Sequence, residues 1–124
     1  MSTDFSELKF KYKIWLETEN GEGVLGEGKY RLLKKIEETG SLKLAIEQLG
    51  LSYRKTWDNL KKMEHELGFA LIKPTRGGAE GGSTVLTLEG RIVIAAFDRF
   101  HREYDSIILQ GFERILEEMK SVTR

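Results

Sequence analysis

The chain of 124 residues contains no cysteine and one proline, and its formal net charge is zero. Without cysteine there is neither a disulfide framework nor a thiolate metal site. No apolar run approaches the roughly 20 residues of a membrane-spanning helix, and the N-terminal stretch MSTDFSELK lacks the apolar segment of a signal peptide. The sequence therefore predicts a cytoplasmic protein with no membrane partner, folded as a single domain over residues 1–124.

Catalytic and metal-binding patterns are also missing. The two histidines, His65 and His101, lie far apart in the sequence, and neither has a second ligand at metal-site spacing. The serines Ser41, Ser52 and Ser83 stand at expected helix starts or turns, where capping explains them. No nucleophile has a base at a spacing that indicates covalent catalysis. We therefore expect no enzymatic activity, no catalytic residues, no metal and no cofactor.

The most informative segment is GSLKLAIEQLGLSYRKTWDNLKKMEHELG at residues 40–68. Ser41 and Ser52 can cap two successive helices, and Gly50 supplies the backbone freedom for a tight turn between them. This pattern predicts a helix-turn-helix over residues 41–67. The predicted inward side chains of the first helix are Leu42, Ala45, Ile46 and Leu49.

The second of these helices has two distinct faces on a helical wheel centred on Leu60. Its inward face holds Tyr53, Thr56, Trp57, Met63, Glu64 and Leu67, of which all but Glu64 can pack in a core. Its outward face holds Lys55, Asp58, Lys62 and His65, flanked by Arg54, Asn59 and Lys61. We assign Trp57 to the core. A capped helix with an apolar back and a front of Arg, Lys and Asn suits entry into a DNA major groove, although an ordinary helical hairpin with a solvated face fits the periodicity equally well.

Two short apolar runs follow, LIKP and VLT, around the ten-residue loop TRGGAEGGST. They predict a two-stranded wing over residues 71–87, in which Gly77 and Gly78 let the loop approach a phosphate backbone closely. Lys73 and Arg76 are placed to neutralise phosphates. A hairpin without any partner is the alternative. The loop lacks the Gly-Lys-Ser/Thr ending of a nucleotide-binding P-loop.

The segments on either side complete the predicted fold. Residues 8–18 alternate between apolar and polar, which predicts a strand within an N-terminal hairpin over residues 8–25. Its inward residues would be Leu8, Phe10, Tyr12, Ile14 and Leu16. The outward lysines are read as a solvated face or a shielded edge in preference to a second nucleic-acid surface, and the outward Trp15 as a dimer contact. A helix over residues 27–39 follows, with Gly40 as its stop.

The C-terminal part predicts one long helix over residues 88–122, with Thr87 as its cap. Its apolar residues recur about every 3.6 positions, as in a straight α-helix. They are Val93, Phe97, Phe100, Tyr104, Ile108, Phe112, Ile115, Met119 and Val122. Such a helix is about 50 Å long, and its apolar stripe would be exposed on a monomer, so we expect a homodimer.

Charge is distributed unevenly along the chain. Residues 53–76 carry six cationic and three acidic side chains, a net charge of +3, whereas residues 77–124 carry six and eight, a net charge of −2. The excess of positive charge lies on the helix and wing that would face DNA, which favours specific docking over strong non-specific binding.

These residues resemble a known family. The stretch quoted for residues 40–68, the double-glycine wing and the Leu86-Thr87-x-x-Gly90 start of the last helix resemble the N-terminal DNA-binding domain of the ModE family of molybdate-responsive transcription regulators. The stretch is similar, more distantly, to the winged helices of LysR-type regulators. The resemblance covers roughly residues 8–110. It implies a prokaryotic, nucleoid-associated, sequence-specific DNA-binding regulator with a mostly helical winged helix-turn-helix fold.

The resemblance also implies a binding surface and a partner, namely a double-stranded and palindromic DNA operator. The implied contacts are Ser41, Lys43, Ser52, Tyr53, Arg54, Lys55, Asn59, Lys62, Lys73, Arg76, Gly77 and Gly78. Where the family tends to carry a lysine between its glycine pairs, this loop has Ala79-Glu80. No counterpart of the family's oxyanion-binding domains is present in the 124 residues, so molybdate or tungstate is not expected to bind. A winged-helix protein-interaction module and a stand-alone sensor of a small oxyanion are the alternative functions.

Overall fold

The computed structural model describes residues 7–75 and 83–122. Along these residues run β1 (Trp15–Glu17), β2 (Gly23–Gly26), α1 (Glu27–Thr39), α2 (Leu42–Leu49), α3 (Tyr53–Leu67), β3 (Ile72–Pro74), β4 (Thr84–Leu86) and α4 (Leu88–Lys120). Strands β1 and β2 form one antiparallel sheet, and β3 and β4 form another. The predicted class, mostly helical with a winged helix-turn-helix and a long C-terminal helix, is confirmed.

The internal contacts of the chain divide it into two compact units. One unit is Lys13–Phe97, which holds both sheets, α1 to α3 and the start of α4. The other combines Met1–Tyr12 with Asp98–Arg124. Within this second unit, the Phe10 ring stacks on the Phe112 ring at 4.3 Å between centroids, and the Tyr12 hydroxyl donates to the Asp105 carboxylate. A single domain over residues 1–124 stays a prediction.

The turn between α2 and α3 forms as the sequence predicts. Gly50 has a φ of 67°, in the left-handed region, and its amide and that of Leu51 donate to carbonyls of the last turn of α2. The Ser41 hydroxyl accepts a hydrogen bond from the Leu44 amide at 3.1 Å, in the first turn of α2. The Ser52 hydroxyl accepts one from the Lys55 amide at 3.4 Å, in the first turn of α3. Both serine caps are confirmed.

The hydrophobic core lies in the unit Lys13–Phe97. Its fully buried members come from α1, α2, α3 and the residue just before β3, and they include Leu33, Ile36, Ala45, Leu60, Met63 and Leu71. Strand β4 is attached to this core at the junction of α1 and α2, because the Thr84 amide donates to the Gly40 carbonyl at 2.9 Å. Both strands of the wing therefore share one core with the helix-turn-helix, since Ile72 of β3 and Leu86 of β4 are buried in it.

Helix α4 begins against the backbone of the wing. The Thr87 hydroxyl accepts from the Gly90 amide at 3.0 Å, which confirms Thr87 as the cap. The Thr87 amide donates to the Leu71 carbonyl at 2.9 Å. A Cβ atom at Gly90 would lie 2.4 Å from that same carbonyl oxygen, so only glycine permits this approach.

The N-terminal strand is much shorter than predicted. Instead of residues 8–18, only Trp15–Glu17 is a strand, and residues 8–14 belong to no strand. The short length of β1 follows from its partner strand β2, which has only four residues. The pairing runs from Trp15 opposite Gly26 to Glu17 opposite Gly23, and residues before Trp15 have no strand residue opposite them. The predicted inward face is also wrong at its ends, since Leu8 and Leu16 are exposed.

Candidate nucleic-acid interface

Helix α3 has one buried face and one solvent-exposed face. Thr56, Leu60 and Met63 are buried against the core, as the helical wheel predicts. The side chains of Arg54, Lys55 and Asn59 are exposed on the surface of the first two turns. The outward surface of this helix is therefore free to contact a ligand over its N-terminal half.

The Arg54 guanidinium is nearly fully solvated. Its side chain is 91% exposed, and its contact with Asp58, one turn later, is 3.8 Å between Nε and Oδ2. An exposed pair at this distance contributes little free energy, because water solvates both charges. Arg54 can consequently exchange this contact for a stronger bidentate acceptor, such as a guanine edge or a phosphate.

Lys62, in contrast, is held by a partner outside its own helix. Its Nζ lies 2.7 Å from the Glu22 carboxylate in the turn between β1 and β2. The hydrogen bond and charge of Lys62 lower the pKa of Glu22, and the hydrogen bond and charge of Glu22 raise the pKa of Lys62. The structure thus joins the outward face of α3 to the turn between β1 and β2, a link that nothing in the sequence pattern indicates.

The aromatic residues of α3 are more exposed than the wheel predicts. Tyr53 is 52% exposed although the wheel turns it inward, and Trp57 is 37% exposed, so the assignment of Trp57 to the core is wrong. The Lys61 ammonium lies 4.6 Å from the centre of the Trp57 ring, where a cation–π contact covers part of the indole. The core beneath is already filled by Leu60 and Met63, which leaves these rings at its margin.

The helical wheel placed Glu64 on the inward face of α3 but did not predict its role. Its carboxylate accepts from the Leu71 amide at 2.7 Å and from the Ile72 amide at 3.3 Å, and also contacts Lys61 at 3.2 Å. The side chain is 10% exposed. A charged side chain on the inward face of a helix requires a hydrogen-bonding or ionic partner. The inward position of Glu64 on the helical wheel was therefore the sequence signal that could have predicted this contact. Glu64 fixes the first strand of the wing to α3.

The remaining predicted contacts lie on other elements. Ser41 is half-buried at the start of α2, and Lys43 is exposed in its first turn. Lys73 is exposed on β3, where it pairs with Val85 of β4. Three predicted contacts, Arg76, Gly77 and Gly78, lie outside the described residues.

Two negative findings concern the described residues alone. Over residues 7–75 and 83–122, no group of three or more histidine, aspartate or glutamate side chains is arranged to hold a metal ion. Within those same ranges, every helix is too short or too polar to cross a membrane.

The chain matches known proteins over its full helix-turn-helix and wing. A model of the bacterial regulatory helix-turn-helix proteins of the lysR family matches residues 28–91. The molybdenum transport protein ModE of Azotobacter vinelandii is 32% identical over 115 residues, which cover 93% of this chain and 41% of that protein. The molybdenum-pterin-binding protein MopB of Rhodobacter capsulatus is 34% identical over 92 residues, covering 74% of this chain and 34% of that protein.

A third relative is the DNA-binding transcriptional dual regulator ModE of Escherichia coli strain K12. It is 34% identical over 67 residues, which cover 54% of this chain and 26% of that protein. The chain thus spans less than half the length of these relatives. Because the family model matches more than half of its residues, the chain belongs to the lysR family of bacterial regulatory helix-turn-helix proteins, and it is similar to the N-terminal part of ModE-type regulators.

Proposed function

We propose that this chain is a sequence-specific DNA-binding transcription regulator of the ModE type, which reads its operator through α3. The observation that carries the proposal is the solvent-exposed front of α3, with Arg54, Lys55 and Asn59 on a helix whose opposite face is buried and whose first turn is capped. These are the side chains that hydrogen-bond to base edges in the major groove. A bacterial regulator of this kind acts in the cytoplasm.

We assign two groups of contacts around this front. Ser52, Tyr53 and Lys62 lie with the reading residues in the major groove. The flanking phosphates are met by residues of α2 and of the wing, namely Ser41, Lys43, Lys73, Arg76, Gly77 and Gly78. The lysines and the arginine of this second group neutralise phosphates, and so they position the protein without reading sequence.

Selection of bound sequences from random duplex DNA tests the proposal, because it identifies both an operator and its symmetry. Arg54→Ala and Lys55→Ala should each weaken binding to the selected operator by ~1–3 kcal/mol and relax the sequence preference. Arg102→Ala, which removes an exposed cation from α4, is the matched control and should bind like the wild type. Unchanged operator affinity in both α3 variants would refute the assignment of α3 as the reading helix.

We also propose that the protein acts as a homodimer on a palindromic operator. Within Asp98–Arg124, α4 exposes a set of large apolar side chains, namely Tyr104, Ile107, Leu109, Ile115 and Met119. Exposed apolar surface of this extent on one helix favours association with a second copy. A twofold dimer requires half-sites about 10 base pairs apart, or a multiple of that spacing.

Sedimentation equilibrium tests the dimer. Ile107→Asp places a charge on the apolar face and should shift the protein toward monomer. Gln110→Asp, which introduces the same charge at an exposed polar position of α4, should remain dimeric. A wild-type protein that sediments as a stable monomer would contradict the proposal.

A further inference from the structure

An open groove of about 650 Å³ lies within the unit Lys13–Phe97, beside the exposed front of α3. It is formed by the β1–β2 hairpin, the start of α1, the turn between α2 and α3, and the first turns of α3. Its apolar lining includes the buried Leu25, Leu32 and Leu60, and the exposed Trp15 also contributes to it. The volume lies within the range of small-molecule sites.

The charged residues that line this groove all have the same sign. They are Lys29, Arg31 and Lys55, and no aspartate or glutamate lines the groove. In the part of the chain that the structure describes, none of the three forms an ion pair. The whole chain has equal numbers of cationic and acidic side chains, so this local separation of charge is not a consequence of composition. The groove is therefore complementary to an anion.

The lining also specifies the shape of that anion. The buried leucines and the Trp15 indole offer apolar contact to a ring, whereas Asn59 and Ser52 add neutral hydrogen-bonding groups at the α3 side. A bare tetrahedral oxyanion would use the cations and leave the apolar lining in contact with water. An anion joined to an aromatic body uses both parts.

We propose that this groove binds a small aromatic anion, and that the bound anion competes with DNA. The competition follows from shared residues, because Ser52, Lys55 and Asn59 line the groove and also belong to the proposed reading surface. The binding site stands on the geometry of the groove alone, whereas the competition rests on the proposed DNA-binding function. An effector of this kind would release the operator without a separate sensor domain.

Titration of the ¹⁵N-labelled protein with phenyl phosphate, followed by NMR, tests the site. We expect saturable shifts of the Trp15 indole and of the amides of Gly28 and Leu51, which line the groove. Phenol lacks the anionic group, and inorganic phosphate and molybdate lack the aromatic ring. Each of the three should therefore bind at least about tenfold more weakly than phenyl phosphate. Shifts confined to other residues, no saturation in the millimolar range, or equal affinity for inorganic phosphate would overturn the proposal.

Charge variants identify the residues responsible. The double substitution Lys29→Gln and Arg31→Gln should weaken phenyl phosphate binding about tenfold, since two of three cations are removed. Arg102→Gln is the matched control and should leave the affinity unchanged. Equal weakening by both changes would overturn the assignment, and the amide spectrum of each variant shows directly whether it is folded.

The effect on DNA is measured separately with the selected operator. Phenyl phosphate should reduce operator binding by the wild type, and the Lys29/Arg31 double variant should bind the operator normally but resist this inhibition. Phenyl phosphate bound in the groove without any effect on operator binding would overturn the competition. A wild type that binds no DNA would contradict the proposed function, while the NMR titration would still decide whether the groove is an anion site.

Discussion

The carboxylate of Glu64 is the contact between α3 and the wing whose loss we expect to matter most for stability. It accepts from the Leu71 amide at 2.7 Å and from the Ile72 amide at 3.3 Å, and both of these residues are buried. In Glu64→Ala the Leu71 amide loses the side-chain acceptor it has in the described structure. A buried donor without an acceptor is costly, because it has lost water as well as its protein partner.

The magnitude follows from these contacts. A hydrogen bond to a charged group contributes ~1.5–3 kcal/mol to stability, and the longer bond to Ile72 counts for less than the short one. Loss of the half-exposed Lys61 pair adds at most about 0.5 kcal/mol, and the better helix propensity of alanine offsets a few tenths of a kcal/mol. We therefore expect Glu64→Ala to lower the free energy of unfolding by ~2–4 kcal/mol. Glu64→Gln keeps one acceptor oxygen, so its loss should be ~1–2 kcal/mol.

Urea denaturation at neutral pH measures this difference. The matched control is Glu47→Ala, which removes an exposed glutamate from α2 and should change the free energy of unfolding by less than about 0.5 kcal/mol. If Glu64→Ala is no more destabilising than Glu47→Ala, the two amides find other acceptors and our account of how the wing is held is wrong.

Two further predictions concern backbone approach and charge. Gly90→Ala should lower the free energy of unfolding by ~2–4 kcal/mol, because its Cβ would overlap the Leu71 carbonyl oxygen. Gly111→Ala should raise the free energy of unfolding by ~0.5–1 kcal/mol, because a Cβ there meets nothing within 4 Å and alanine favours the helix. Urea denaturation of both variants measures this difference, and equal effects would contradict the prediction. The pKa of Glu22 is lowered by Lys62, so the stability from this pair is present above the ordinary glutamate pKa and is lost as pH falls through the lowered one. NMR titration of the Glu22 carboxylate should therefore show its pKa rising in Lys62→Gln, and an unchanged pKa would show that the pair does not form.

Local sequence signals predicted the helices well. The start of α1 at Glu27, its end before Gly40 and both serine caps follow from residues that lie within a few positions of one another. Interactions of this range are decided by backbone geometry and by capping, which depend little on the rest of the fold. The exposed face of α3 was predictable for the same reason, because helical periodicity alone separates the exposed Lys55 and Asn59 from the buried Leu60.

Contacts between distant parts of the chain were not predictable in this way. The alternation at residues 8–18 is a sound local signal for a strand, but the length of β1 is set by the four residues of β2. Similarly, the wheel shows which α3 residues face inward but not how many of them the core accepts, so Trp57 was wrongly assigned. The pair between Lys62 and Glu22 joins residues 40 positions apart in the sequence, and no periodicity connects them.

The backbone of Leu71 shows why these non-local contacts matter for the proposed interface. Its amide donates to Glu64 of α3, and its carbonyl accepts from Thr87 and lies against Gly90 at the start of α4. One buried residue thus fixes the start of β3 relative to α3 and to α4, the helix that follows the wing. In the proposed function, contacts from α3 and from the wing must keep a fixed spacing along the duplex, so residues outside the proposed DNA surface set its geometry. We propose that Arg54 and Lys55 supply the chemistry of recognition, and the contacts of Glu64 and Gly90 with Leu71 hold in place the surface on which that chemistry would act.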